Sequence, residues 1–214
     1  MNKGMAGGLH RLICIAVLSF ASAGAQASLQ EGIDAFQNGD HRAALEKFTP
    51  LANQGDPVAE LYMAKIYMQG HDAQPDYTKA MSWARKAANQ KNTDAEYFIG
   101  FLYYYGLGTP QDYPEAMTWY RKAADMGNIK AQSNLGMMFV NGLGAQADLV
   151  QAYKWLKLAE LAGMQEAGSK LRAVEEQMTA QQITEGKALV QKWKPQTEAE
   201  SQAKSKPKSK SKHK

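Results

Sequence analysis

Hydrophobic and small residues recur every 36 positions through the middle of the 214-residue chain. Three columns show the recurrence most clearly: Ala59, Ala95, Ala131 and Ala167; Gly70, Gly106 and Gly142; Trp83, Trp119 and Trp155. Within a period the apolar spacing is helical, as in Ala95, Ile99, Leu102 and Tyr103. A fixed period of this length predicts a solenoid, in which each pair of helices must stack on its neighbours to bury its apolar face.

Glycines indicate how the two helices of one period meet. Gly100 and Gly136 lie on the apolar face of the first helix, where a missing side chain lets the second helix approach closely. Gly106-Leu107-Gly108 and Gly142-Leu143-Gly144 supply residues that tolerate a positive φ, which lets the chain leave one helix and turn back. Gly70-His71-Asp72 lacks the second glycine, so we expect a turn of different shape there.

Aspartates recur where the second helix of each period should begin, at Asp40, Asp76, Asp112 and Asp148. A carboxylate at this position accepts hydrogen bonds from the free N–H groups of the first helical turn. Glu115 and Gln151 follow three residues after Asp112 and Asp148 and predict reciprocal capping boxes. Because stacked units keep their caps along one edge, we interpret the carboxylates as structural and not catalytic.

The residues that carry the period also form a family motif. In the third full period they are Leu135-Gly136, Phe139, Gly142-Leu143-Gly144, Asp148, Ala152 and Trp155. This motif resembles the Sel-one-like repeat, a relative of the tetratricopeptide repeat with a longer, glycine-bearing turn. The resemblance covers residues 59–166 as three units, and it implies an all-α fold, a right-handed α-solenoid of stacked antiparallel helix pairs. The sequence departs from the pattern at Lys91, where other units have glycine, and at Glu160, where alanine is usual.

Partial units extend the array at both ends. Residues 32–60 resemble a unit with a shortened turn, closer to a tetratricopeptide repeat, and Ala167–Gln177 resemble the first helix of a further unit. Thr179 and Gln182 predict a capping box for a last helix that ends at Trp193, and we expect this helix to cap the open end of the stack. The predicted solenoid therefore spans residues 28–194, with units at about 29–58, 59–94, 95–130 and 131–166 and capping helices at 167–194.

Residues 1–27 have the layout of a secretory signal peptide. Lys3 and Arg11 precede the apolar run Leu12–Phe20, and small residues around Ala27 form the cleavage site. The run is shorter than the roughly 20 apolar residues that a spanning helix needs. We therefore expect a periplasmic or secreted protein. Its single cysteine, Cys14, lies in the removed segment, which excludes disulfides and thiolate chemistry from the mature chain.

The final residues, 195–214, contain no apolar side chain larger than alanine and alternate lysine with serine and proline. This composition predicts a disordered tail. The tail carries +4 and the signal segment +2, so residues 28–194 come to −2 of the chain's total of +4. A nearly neutral domain gives no reason to expect a nucleic-acid partner. The tail is either simply solvated or makes a weak electrostatic contact with an anionic envelope surface.

No convergent set of reactive groups points to an enzyme. The four histidines, at His10, His41, His71 and His213, have no partner at metal-ligand spacing. Serine nucleophile motifs and phosphate-cradling glycine loops are also missing from the sequence. Met63, Met81 and Met117 fall on core columns, which favours packing over soft-metal binding. We expect a protein without catalytic activity, metal or cofactor.

A partner-binding groove has better candidates, because stacked helix pairs leave a concave surface lined by their first helices. If the tetratricopeptide layout carries over, the central unit contributes four aromatic residues on one helical face: Tyr97, Phe101, Tyr104 and Tyr105. The neighbouring units contribute Leu61 and Lys65 on one side and Met137 on the other. Equivalent columns hold polar residues such as Ser133, so we expect exposed rings. The alternative is that the twist of the solenoid buries the rings between units.

These features predict a monomeric, exported scaffold or adaptor of the bacterial envelope, as the resemblance implies, which binds a protein partner in the groove. Two other functions stay open. One is an envelope hydrolase, because some exported relatives carry names such as β-lactamase. The other is a surface tether that acts through the basic tail.

Overall fold

A computed structural model describes residues 24–70 and 74–196. The chain divides into two compact units, with the boundary between Gln90 and Lys91. All regular structure in the described residues is helical and consists of ten helices. Within these ranges, no helix combines the length and the apolar character needed to span a bilayer. The predicted all-α solenoid class is confirmed.

Unit 1 contains four described helices: α1 (24–37), α2 (His41–Asn53), α3 (Pro57–Gln69) and α4 (Tyr77–Asn89). Helix α3 packs against both α2 and α4. The core of unit 1 consists of buried side chains, and Phe48 from α2 and Ile66 from α3 are among its largest fully buried residues. Residues 1–23, which hold most of the predicted signal peptide, lie outside the described residues.

Unit 2 contains six described helices: α5 (Thr93–Tyr105), α6 (Tyr113–Asp125), α7 (Ile129–Asn141), α8 (Leu149–Leu161), α9 (Gln165–Glu175) and α10 (Ala180–Lys192). Helices α5 with α6 and α7 with α8 form close pairs, α6 packs on α7, and both α9 and α10 pack on α8. Trp155, Tyr153, Tyr120 and Leu156 are the large side chains at the centre of this core.

The predicted aspartate caps are confirmed at the start of each second helix. The carboxylates of Asp40, Asp76, Asp112 and Asp148 accept backbone N–H groups of the first turns of α2, α4, α6 and α8, at 2.9 to 3.0 Å. The first helices have caps of their own that the sequence analysis did not identify: Asp56 for α3, Asn92 for α5 and Asn128 for α7.

The capping box predicted at Asp112 and Glu115 is wrong in its second half. The Glu115 carboxylate accepts a hydrogen bond from the indole Nε1 of Trp119 at 2.9 Å instead of reaching back to the Asp112 backbone. The box predicted at Thr179 and Gln182 is complete, because each side chain accepts the other's backbone N–H, at 3.2 and 2.9 Å.

The turns between paired helices use glycine as predicted. Gly106 ends α5 and Gly142 ends α7 in the left-handed conformation, with φ of 67° and 63° and ψ of 37° and 32°. Gly70 ends α3 with φ 72° but ψ 135°, so the chain leaves this helix in another direction, as expected for a turn of different shape. The rest of that turn, residues 71–73, lies outside the described residues.

Close helix packing at two glycines is also confirmed. A Cβ atom on Gly100 would lie 2.7 Å from the Tyr120 ring, and one on Gly136 would lie 2.8 Å from Leu156 Cγ. Real Cβ atoms essentially never make contacts this short. Glycine at these positions therefore sets the distance between α5 and α6 and between α7 and α8.

Two predictions about individual core positions have different outcomes. Met63, Met81 and Met117 are buried, as their columns predicted. The helical spacing predicts Tyr103 on the same apolar face as Leu102, yet Tyr103 is only partly buried, whereas Leu102 is fully buried. A tyrosine can pack its ring on a core while its hydroxyl meets solvent.

Candidate partner-binding site

The aromatic surface of α5 consists of Tyr97, Phe101, Tyr104 and Tyr105. These residues share one side of the helix because their spacing follows its turn. Three of the four rings touch one another: the centroids of Phe101 and Tyr105 are 4.6 Å apart and those of Tyr104 and Tyr105 are 4.9 Å apart. Tyr113, at the start of α6, extends the group with its ring 5.3 Å from that of Tyr104. The predicted clustering is therefore present within unit 2.

The predicted exposure of these rings is correct only at Tyr105. Its side chain is 56% exposed, whereas Tyr97, Phe101 and Tyr104 are partly buried against the core of unit 2. Polar residues at equivalent repeat positions predict an exposed surface, but this reasoning fails at Ser133, which is 2% exposed. Its hydroxyl accepts a hydrogen bond from Lys170 Nζ at 3.3 Å. A small hydroxyl can be buried when it finds such a partner, so its presence in a column does not indicate exposure.

A cavity of about 90 Å³ lies directly beside this surface in unit 2. Three helices line it: α5 with Tyr104 and Tyr105, α6 with Tyr120, and α7 with Asn134, Met137 and Met138. Its volume is about three times that of a water molecule in the liquid. The cavity therefore has the size to take one side chain, and it includes three of the predicted groove residues, Tyr104, Tyr105 and Met137.

The inner wall of the cavity is polar but uncharged. The Asn134 side chain lies near the hydroxyls of both Tyr97 and Tyr120, whose rings are 5.6 Å apart. Burial raises the pKa of Tyr97 and of Tyr120 above the ordinary tyrosine value, and the polar side chain of Asn134 opposes that shift only in part. Both hydroxyls stay protonated at neutral pH, so the wall offers neutral hydrogen-bonding groups and no net charge.

Tyr120, Asn134 and Met138 were not predicted as site residues. They come from α6 and α7, and nothing in the local sequence distinguishes them from core positions. Tyr120 is 1% exposed and fills the space above Gly100, so one side of its ring packs in the core while the residue also lines the cavity. Only the packing of the three helices brings these groups next to the aromatic surface of α5.

Two of the predicted groove residues belong to unit 1. Leu61 is 3% exposed, so the predicted exposure is wrong at this residue, and its contact with a partner stays a prediction. Lys65 is partly buried, with its ammonium 4.4 Å from the centre of the Tyr62 ring. This is a cation–π contact within α3, and it leaves Lys65 as a candidate contact of unit 1 alone.

Reactive groups do not converge at this surface. Among the described residues, no group of three or more His, Cys, Asp or Glu side chains is placed to hold a metal ion. His41 stacks on Phe36 with the ring centroids 5.6 Å apart. The arrangement provides an aromatic, uncharged contact surface with a socket for one side chain.

Repeated pairs of helices joined by glycine turns define the class of α-helical repeat proteins. The Sel1 repeat model matches residues 57–92, 93–128 and 129–164, which together cover α3 to α8. The chain belongs to the Sel1 repeat family. Proteins of this family generally mediate protein–protein interactions. None of the curated proteins compared with the chain matches it.

Two solved structures illustrate the likeness. A protective antigen present in uropathogenic Escherichia coli strains, described as displaying an SLR fold, is 31% identical with a TM-score of 0.68. A Sel1 repeat protein from Oxalobacter formigenes is 33% identical with a TM-score of 0.59. The matches cover 81% and 70% of this chain but only 38% and 45% of those two proteins. This chain therefore corresponds to less than half of either relative.

Proposed function

We propose that this protein is an exported binding scaffold of the bacterial envelope. It holds a helix or extended segment of a protein partner against the aromatic surface of α5. One large apolar side chain of that partner enters the cavity between α5, α6 and α7. The proposal rests on the chain's membership of a family of interaction proteins and on one structural observation, the cavity bordered by the exposed ring of Tyr105.

The chemistry of the cavity supports an apolar anchor. Met137 and Met138 have flexible thioether side chains that adapt to different shapes, and the tyrosine rings offer large contact areas with little entropy loss. Clustered aromatic residues around a small socket are typical of the positions that dominate binding energy at protein interfaces. A charged anchor would lose its hydration without gaining a partner of opposite charge, because the wall is neutral.

Position-dependent photocrosslinking tests this proposal. A photoreactive phenylalanine analogue replaces Tyr105 in one form of the protein and Leu161 in the other. Leu161 is the matched control, because it is 65% exposed and lies at the end of α8, away from the cavity. We expect a specific crosslinked partner in the envelope fraction from position 105 and none from position 161.

A second variant separates loss of binding from loss of folding. Met137→Lys places a charge in the cavity from a partly buried position. It should abolish the crosslink from position 105 while leaving the helical circular dichroism spectrum unchanged. Equal crosslinking from both positions, or a crosslink that survives Met137→Lys in folded protein, would contradict the proposal.

A further inference from the structure

A second and larger cavity lies at the carboxyl end of unit 2. Its volume is about 580 Å³, within the range of small-ligand sites. Its lining comes from α6, α8, the end of α10 and the segment that follows: Asp125, Lys154, Leu189, Lys192, Trp193, Lys194, Pro195 and Gln196. These residues belong to no sequence motif, and the cavity shares no lining residue with the one beside α5.

The segment after α10 forms one wall of this cavity and is held at both ends. Trp193 packs against the core of unit 2, and the backbone N–H of Gln196 donates to the Asp125 carbonyl at 2.8 Å. Pro195 and Gln196 belong to the predicted disordered tail, but Gln196 is hydrogen-bonded to Asp125, the last residue of α6. The other tail residues, 197–214, are outside the described residues. The wall is therefore part of the folded unit.

The charges around the cavity do not balance. Three lysines, Lys154, Lys192 and Lys194, line it with a single carboxylate, that of Asp125. Lys154 is partly buried, with its ammonium 3.8 Å from the Trp155 ring. Burial lowers the pKa of Lys154, Asp125 opposes this shift, and Arg121 adds to it by repulsion. An anion placed here would offset a charge that is already partly dehydrated.

The lining combines hydrogen-bond donors with apolar surface. The ammonium groups of the three lysines supply the donors, and Leu189 and Pro195 supply apolar area. An anionic acceptor with an apolar part would complement both features.

We propose that this cavity is a binding site for an amphiphilic carboxylate. The lysines bind the carboxylate group, and Leu189 with Pro195 contacts the apolar part. Two sources share this chemistry: a glutamate flanked by apolar residues in a peptide, and a free aliphatic acid. The competing explanation is that Lys192 and Lys194 only offset the partial negative charge at the end of α10.

Calorimetric titration of the full-length chain tests the proposal. The probes are a capped leucine–glutamate–leucine tripeptide, the same tripeptide with glutamine in place of glutamate, and hexanoate. We expect the glutamate peptide or hexanoate to bind, and the glutamine peptide to bind at least about tenfold more weakly, as for the loss of charge-assisted hydrogen bonds. Binding of hexanoate with the same affinity as the peptide identifies a free acid as sufficient; binding of the peptide alone identifies a peptide ligand.

Matched lysine variants locate the binding. Lys192→Gln and Lys154→Gln should each weaken binding about tenfold. Lys187→Gln removes the same charge from the same helix as Lys192. Both lysines are exposed, but Lys187 does not line the cavity, so its effect should stay below about twofold. Lys194→Gln, outside any helix, supplies the test if Lys154→Gln fails to fold. No binding of either acid, equal affinity for the two peptides, or equal effects of the Lys187 and Lys192 variants would overturn the proposal.

Discussion

Lys91 offers a direct test of how the repeat turns are built. It is the only non-glycine residue with positive φ among the described residues, at 64°. The corresponding turns of the other units use Gly55, Gly127 and Gly163, with φ of 86°, 92° and 98°. The left-handed conformation costs a residue with a side chain about 1–2 kcal/mol, because Cβ approaches the following carbonyl oxygen. We therefore expect Lys91→Gly to relieve strain.

The size of the effect follows from two opposing terms. Glycine removes the conformational cost of about 1–2 kcal/mol. Because glycine also has more conformational freedom in the unfolded chain, it lowers the free energy of unfolding by about 0.4–1 kcal/mol. The net expectation is a gain of about 0–1.6 kcal/mol in the free energy of unfolding, centred near 0.8 kcal/mol. For a protein of this size, the central value corresponds to a rise of about 2–3 °C in melting temperature.

Two further variants make the measurement specific to the backbone. Lys91→Ala removes the side-chain contacts but keeps the left-handed cost, so the difference between the glycine and alanine variants isolates the conformational term. Gly127→Lys is the reverse change, at a position where a new Cβ would meet no atom within 4 Å. It should lower the free energy of unfolding by the same net amount, about 0–1.6 kcal/mol, through the backbone alone. Thermal and urea melts that place Lys91→Gly at or below Lys91→Ala would refute this reasoning.

Four other expectations can be measured. Trp155→Ala, at a fully buried position, should cost about 3–5 kcal/mol in urea unfolding, and a loss below about 1 kcal/mol would contradict its role in the core. Burial raises the pKa of Glu96 despite its ion pair with Lys122 at 2.8 Å, so the contribution of this carboxyl to stability is present at low pH and lost as pH rises through the raised pKa. The free energy of unfolding of the native protein relative to Glu96→Gln should therefore fall as pH rises above the ordinary glutamate pKa, and a flat or rising difference would show that the folded-state pKa is not raised. Mass spectrometry of the exported protein should find Ser28 at the amino terminus, and retention of Met1 would refute the predicted cleavage. Deletion of residues 197–214 should leave the melting temperature unchanged and reduce any salt-sensitive membrane sedimentation; a melting point several degrees lower would mean that the tail packs on the fold.

The sequence by itself determined the paired helices, the starts of the second helices and the glycine turns between paired helices. Asp112 and Asp148 predict helix starts because a capping carboxylate acts on N–H groups within three residues of it. Gly106 and Gly142 predict the turns because a positive φ is a property of the residue and its immediate neighbours. Gly100 and Gly136 predict close packing because the 36-residue period places the same requirement in each unit. Interactions between residues close in sequence, repeated in each unit, are sufficient to predict the paired helices and the turns between them.

Only the tertiary structure decided which side chains reach solvent and which groups meet. Leu61 and Tyr105 both lie on the predicted groove face, yet Leu61 is buried and Tyr105 is exposed. The cavity beside α5 needs Tyr120 and Asn134 from two other helices, and the lysine cavity needs α6, α8 and α10 together. Burial and convergence depend on how far apart helices pack and on what covers each face. Those distances arise from contacts between residues remote in sequence, so no single period of the repeat contains them.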